Sequence, residues 1–421
     1  MRKRRSVVAA LSAAALIATA VAASPSVGAA PDTAAAEAAT QTDFYEVLGT
    51  NSPQLRTKVS ATGVDVVTAG ETTTIIGTGS DAQKLRGLGF QVEKRPGFEQ
   101  YRANRAADVT TAAADFPAGD ENYHTYAEVV AELQQTVTDH GNLVKLGSIG
   151  TSYQGRNLPV IKISDNAGTD EAEPEVLFTC NQHAREHLTT EMCLHIVKRF
   201  TDKYTTDTNV KNLVDTKEIW VIPTVNPDGS EYDIAGGSYK MWRKNRQGQG
   251  TDPNRNWGHK WGCCGGSSGS PGSETYRGTA AFSAPEVKAV ADWVGTRRVG
   301  GVQQIKSHID FHTYSELVLW PFGYTYADTA PGMTAAEAQK FKTLGQQMAA
   351  TNGYTPQQAS DLYITDGSVD DWMWYAHKIL SYTFEMYPKG SNPGFYPPDE
   401  VIPAQTARND KAVDILINAS L

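Results

Sequence analysis

Residues 175–190 read EVLFTCNQHAREHLTT, and how this stretch is parsed decides the fold. EVLFTC, residues 175–180, is a short apolar run of strand-forming residues that breaks off at Asn181-Gln182-His183. LTTEMCLHIVKRF, residues 188–200, follows with apolar residues at helical spacing. A buried strand, a polar turn and an amphipathic helix in that order are one arm of an α/β unit. Inside the turn, HAREH (183–187) satisfies two zinc-site templates. H-x-x-E makes His183 and Glu186 both ligands and requires a base from elsewhere, whereas H-x-x-E-H makes His183 and His187 the ligands and Glu186 the base.

The texture recurs downstream. IWVIPTV (219–225) runs into Asn226, IKSHIDF (305–311) into His312, and ILSYTF (379–384) into Glu385. Ligands of open α/β sheets sit at the carboxyl ends of the strands, so His183, His312 and Glu385 are expected to converge. Two imidazoles and the Glu186 carboxylate leave an open position for water, whose pKa zinc lowers to near ~7, and Glu385 is then the base. The inverted template needs both histidines inside a helix and a further acidic ligand. A strand ending three residues before His183 favours a turn, hence H-x-x-E. A zinc endopeptidase or amidase of the inverted type stays as the alternative. His124, His140, His195, His259, His308 and His377 read as surface or satisfied core. His308 shares a strand face with His312 at a spacing too long for one metal.

The 421 residues are 40% apolar and 20% charged, which suits one large domain and a smaller one. With a net charge of -9 and no cluster of Lys and Arg after residue 5, nucleic acid is excluded as a partner. MRKRRSVVAALSAAALIATAVAASPSVGAA has a basic head, an apolar stretch and small-residue cleavage sites, so residues 1–30 are read as a signal peptide. The expected location is extracellular, with no membrane association after signal cleavage. In that oxidising setting Cys180, Cys193, Cys263 and Cys264 are expected to form two structural disulfides, in one of three pairings.

Residues 43–95 alternate FYEVLG, VDVVTA, TTTIIGTG and FQVEKR with two helical stretches, a β-α-β-β-α-β order that predicts a small ferredoxin-like α+β domain. YRANRAADVTTAAADFPAG, residues 101–119, is poor in large apolar residues and reads as an exposed linker. From His124 onward, long helical periods alternate with apolar strands. They predict a mixed, mostly parallel doubly wound sheet with helices on both faces.

Seven runs then carry a resemblance: HAREH, VNPDG (225–229), MWRKNR (241–246), DPNRNW (252–257), DFHTYSELVLWPFGY (310–324), LYITDGSVDDW (362–372) and YTFEM (382–386). In this order, across residues 117–421, the sequence resembles the funnelin zinc carboxypeptidases, the family of pancreatic carboxypeptidases A and B and bacterial carboxypeptidase T. The resemblance implies one Zn2+ held by His183, Glu186 and His312, with Asp252 orienting the first histidine and Glu385 as general base and proton shuttle. It implies that Arg255, with Asn254, grips the terminal carboxylate of peptides and proteins with a free C-terminus, a task suited to a planar guanidinium. Arg243 matches the residue that stabilises the oxyanion, Arg185 a subsite arginine, Tyr363 a mobile tyrosine and Tyr314 a cleft aromatic.

Asp370 falls where the A type carries an aliphatic residue and the B and T types carry Asp, with Asp371 one register step away. A pocket accepting basic and apolar C-terminal residues is the expectation. Residues 31–116 resemble the family's pro-segment, shielding the cleft in cis until the linker is cut, with 117–421 as the catalytic domain. A catalytically silent binding protein is the remaining alternative, and it requires loss of a ligand, Glu385 or Arg255; none is missing.

Overall fold

The computed structural model describes residues 42–95 and 116–420. The signal peptide and most of the linker lie outside the described residues. The small domain follows the expected order: β1 Thr42–Leu48, a helix Pro53–Ser60, β2 Asp65–Thr68, β3 Thr72–Thr78, a helix Gly79–Gly87 and β4 Gln91–Lys94. Its antiparallel sheet runs β2-β3-β1-β4. Tyr45, Val47, Val59, Ile75 and Leu85 form its own core, while Phe44, Val67 and Ile76 belong to the apolar cluster of the larger body. Alternation along β1 and β3 thus gives one face to the domain's own helices and the other to its neighbour.

The body is built on β5 Val144–Thr151, β6 Asn157–Ile163, β7 Glu175–Cys180, β8 Glu218–Ile222, the two-residue pair β9 Arg298–Val299 and β10 Val302–Gln303, β11 Ile305–Thr313, β12 Leu317–Trp320, β13 Thr355–Gln358 and β14 Leu380–Met386. Eight of these form one sheet in the order β13-β12-β14-β11-β7-β8-β6-β5. The central β14-β11-β7-β8 block and the β12-β13 pair are parallel; the other pairings are antiparallel. The sheet is therefore mixed, as expected.

β7 shows why the strands read as continuous apolar runs. All six residues are buried, with Val176, Phe178 and Cys180 in one apolar cluster and Leu177 in the other, so both sheet faces are covered. Helices His187–Asp202 and Ala335–Asn352 pack on the first face, and Pro285–Thr296 on the second. Thr125 and Glu128 form a capping box that starts the helix Tyr126–His140. Phe116, one residue before the boundary read from sequence, already stacks on Tyr123 in the body. The cysteines pair as Cys180–Cys193, which ties β7 to the following helix, and Cys263–Cys264. No described helix is long and apolar enough to cross a membrane.

Candidate active site

Register brings the distant residues together. β11 and β14 run parallel with His312 opposite Glu385, and Phe311 of β11 lies opposite Cys180, the last residue of β7. The turn after Cys180 is set by Asn181, which adopts the left-handed region at φ 57°, a conformation Asn tolerates. Its Nδ2 donates to the carbonyls of His183 and Ala184, both at 3.2 Å, while Thr224 donates to its Oδ1. Asn226 likewise donates to the carbonyls of Gln182 and Lys244 at 3.1 Å. The strand-end asparagines are scaffold, and they aim His183 and Glu186 into the crevice.

His183 Nδ1 lies 2.8 Å from Glu186 Oε1, and His312 Nδ1 lies 3.1 Å from His183 Nδ1 and 2.9 Å from Glu186 Oε2. Three buried donor atoms converge on one point, with two imidazole nitrogens nose to nose, an arrangement that suits a cation. Both outer nitrogens are held by carboxylates: His183 Nε2 by Asp252 at 3.0 Å and His312 Nε2 by Asp310 at 2.6 Å. Each partner fixes a tautomer that turns the Nδ1 lone pair inward and raises its basicity. Burial works against the Glu186 charge, but the two histidines outweigh it and hold the carboxyl below its usual range. The donor set, two nitrogens and a carboxylate, fits zinc with an open position.

The inverted template is not met. His187 opens the helix His187–Asp202 with Glu186 at its N-cap, and its Nε2 is taken by Asp233 at 2.9 Å and its Nδ1 by Ser230 at 3.3 Å. Phe116, Tyr239 and Tyr396 surround the ring. His308 is also satisfied, between Thr179 and Ser381 at 2.8 Å each.

A cleft opens over the triad and is lined by Arg185, Arg243, Asn254, Arg255, Tyr314, Tyr363, Asp370 and Glu385. Asp252 sits behind it. Arg243 donates to Asp252 through Nε and Nη2 at 3.2 and 2.9 Å. Burial opposes its charge, yet Asp252, Asp65 and Glu186 together hold it more firmly protonated than usual. Arg255 is buried and makes no ion pair among the described residues; its Nε donates to the Gly266 carbonyl at 3.0 Å and its Nη1 to the Asn254 carbonyl at 2.7 Å. Asn254 Oδ1 accepts from the Val369 N–H at 2.9 Å. Burial pushes Glu385 up to about 8, against the pull of His312.

Asp370 lines the cleft as well. Ser381 and Thr383 donate to its two oxygens at 2.5 and 2.6 Å, and burial still pushes it up to about 7. Asp371 instead accepts the Gly323 and Tyr324 N–H groups and does not line the cleft. Between the two candidates, Asp370 is the one that lines the cleft.

Sequence reasoning passed over four features. Asp310, the second carboxylate behind a ligand, stands two residues before His312 and so on the same strand face, a signal that was legible. Gln182 supports it through Nε2. Phe395 packs its ring 3.9 Å from the Arg185 guanidinium and edge-on to Tyr314. Asp65 of the small domain pairs with Arg185 at 2.6 Å and approaches Arg243 at 3.9 Å, while Val66–Ala69 line the same cleft.

The zinc carboxypeptidase family matches residues 129–412. A zinc carboxypeptidase of Saccharothrix mutabilis subsp. capreolus is 54% identical over 379 residues, 88% of this chain and 87% of that one. Carboxypeptidase B of Rattus norvegicus is 32% identical over 304 residues, 70% of each chain. Carboxypeptidase A of Helicoverpa armigera shares the fold with a TM-score of 0.74 at 23% identity, over 91% of this chain and 98% of that one. The chain therefore belongs to the zinc carboxypeptidase family and is a metallocarboxypeptidase.

Proposed function

We propose that the protein is an exported exopeptidase, made as a zymogen, that removes one residue at a time from the C-terminus of peptides and proteins and accepts basic and apolar residues. The observation that carries this reading is Arg255, a buried guanidinium with no acidic partner among the described residues, beside the His183–Glu186–His312 triad. A buried cation without a partner is costly, so the site is built for an anionic group that arrives with the substrate. A peptide's terminal carboxylate fits the planar fork, with Asn254 beside it.

Zinc, when bound by His183, Glu186 and His312, supplies Lewis-acid chemistry. The chain's own groups do the rest. Arg255 and Asn254 place the terminal residue so that its peptide bond lies at the triad. Arg243 offers a charged donor to the carbonyl oxygen as it gains charge. Glu385 takes the proton of the attacking water and returns it to the departing amine nitrogen, and its raised pKa suits a group that must do both. Tyr363, whose phenol burial pushes upward, and Tyr314 close the sides of the cleft. Asp370 at the pocket end favours Lys and Arg when ionised and tolerates apolar side chains when protonated.

The zymogen reading rests on Asp65, which occupies Arg185 and approaches Arg243, and on Arg56 and Thr57, which bond the backbone on both sides of Tyr363. A C-terminal ladder assay on peptides ending in Arg, Lys, Leu, Phe and Glu tests the whole reading, before and after linker cleavage and with and without a chelator. Stepwise loss of single residues, stopped by chelation and raised by cleavage, is expected. Equal cleavage of C-terminally amidated peptides would refute exopeptidase action.

A further inference from the structure

Arg255 is held at two points, its Nη1 by the Asn254 carbonyl and its Nε by a loop that does not line the cleft. Its Nε donates to the Gly266 carbonyl, and Gly266 belongs to the exposed turn that begins with the paired Cys263 and Cys264. Gly266 itself is buried, and Arg277 donates to the carbonyl of the next residue, Ser267, at 3.2 Å. A carboxylate adds the remaining holds: Asp366, fully buried, accepts the N–H groups of Cys264 and Gly266 at 3.0 Å each on one oxygen and the Ser267 hydroxyl on the other. A carboxylate removed from water in this way holds its donors firmly, because each is its replacement for lost hydration. The two backbones lie so close that a Cβ on Gly266 would come within 2.5 Å of Thr365. Asp366 also stands three residues after Tyr363 and four before Asp370. One side chain therefore fastens the Arg255 loop to the segment that carries the cleft tyrosine and the pocket acid.

We propose that Asp366 is a positioning residue for substrate binding: through the 263–267 turn it holds the Arg255 guanidinium at the angle that receives the terminal carboxylate. This rests on the reading that Arg255 is the carboxylate receptor. Asp366 does not line the cleft, so its effect falls on binding and not on the chemical step.

The test uses enzyme expressed as the full chain and cleaved in the linker. In Asp366→Asn the Cys264 and Gly266 N–H groups keep one acceptor oxygen but lose its charge, and the Ser267 hydroxyl loses its acceptor, so the hold on the turn weakens. KM for a peptide with a free C-terminus is expected to rise about tenfold with kcat within about twofold and one metal per chain retained. Ser267→Ala, which removes one donor and keeps the carboxylate, is expected to raise KM about two- to threefold and serves if Asp366→Asn does not fold. In an Arg255→Ala background the Asp366 substitution should change KM by less than about twofold, since groups acting through one another are not additive. A fall in kcat at constant KM, or independent effects of the two substitutions, overturns the inference. If Arg255→Ala raises KM and neither Asp366→Asn nor Ser267→Ala does, only the inference fails. If Arg255→Ala leaves KM unchanged, the carboxylate reading fails and takes the inference with it.

Discussion

The Asp370 pocket makes a quantitative prediction. Its carboxyl is pushed up to about 7 by burial, and the hydroxyls of Ser381 and Thr383 only partly offset this. Asp310 and His312 of β11 face it with opposing effects, and Asp371 is its neighbour on the helix Val369–His377. A cationic side chain pairs with the ionised form alone. Apparent affinity for C-terminal Arg or Lys is therefore weakened by the factor 1 + 10^(7 − pH): about elevenfold at pH 6, twofold at pH 7 and negligibly at pH 8. The sign follows from the raised pKa, since the proton that blocks the cation leaves as pH rises. An apolar side chain gains nothing from ionisation and loses a little, because it then faces an unpaired buried charge.

Other ionisations, Glu385 included, act on both substrates. Two peptides that differ only in ending with Arg or Leu, mixed in one reaction and followed by mass spectrometry, give the ratio of their kcat/KM values, from which shared terms cancel. The ratio is expected to rise about tenfold in favour of Arg between pH 6 and 8. Asp370→Asn should flatten it, and Asp370→Leu should depress Arg and Lys cleavage far more than Leu or Phe. Asp371→Asn, which alters the Gly323 and Tyr324 contacts but leaves the Ser381 and Thr383 bonds to Asp370 in place, should keep the slope. A flat ratio in the native enzyme, or an equal slope in Asp370→Asn, refutes the assignment.

Three further outcomes follow from the site and its surroundings. Asp310→Ala should weaken metal binding about 10- to 100-fold in a chelator competition, as loss of an orienting carboxylate does, and an unchanged constant would show that Asp252 suffices. Glu186→Ala should abolish metal uptake, whereas His187→Ala should keep the metal while losing about 1–3 kcal/mol of stability as Asp233 forfeits a buried partner, which denaturant unfolding reads directly. His124 is raised by its hydrogen bond to Glu191, so its contribution is fully present below its unfolded value near ~6.5 and is lost as pH rises through the higher folded one; Glu191→Gln should remove that decline in melting temperature.

The residues that could be read from sequence were those whose partners are local or at a regular interval. The strand–turn–helix parse of 175–190 places His183 in a turn, and three-residue spacing puts Glu186 beside it, so the metal pair needs no tertiary knowledge. His312 and Glu385 were legible because apolar strands end at them, and strand ends converge in an open sheet. Asp310 was missed because a carboxylate inside an apolar run reads as an interruption, although period-two alternation puts it under His312. Asp65 and Asp366 were not legible at all. Their partners, Arg185 and the 263–267 turn, lie about a hundred residues away and meet them through loop and domain packing that no local pattern encodes.

This division has a mechanical consequence. Under the proposed function, the registers of β11 with β7 and with β14 bring the metal triad and the base together, and a slip of one residue in the latter would turn Glu385 to the opposite face. Such a register is pinned by the apolar side chains of both sheet faces, so a substitution there changes stability and chemistry together. Under the proposed function, substrate recognition falls to the segments 252–257, 263–267 and 362–370, joined by a few hydrogen bonds: Asp366 accepts from Cys264 and Gly266, Asn254 accepts from Val369, Arg255 donates to the Gly266 carbonyl and Trp257 N–H donates to the Gly367 carbonyl. Those bonds can be altered one at a time without unpacking the sheet. Changes of preference among C-terminal residues are thus open to substitutions in these loops, while the same fold keeps the hydrolytic centre constant.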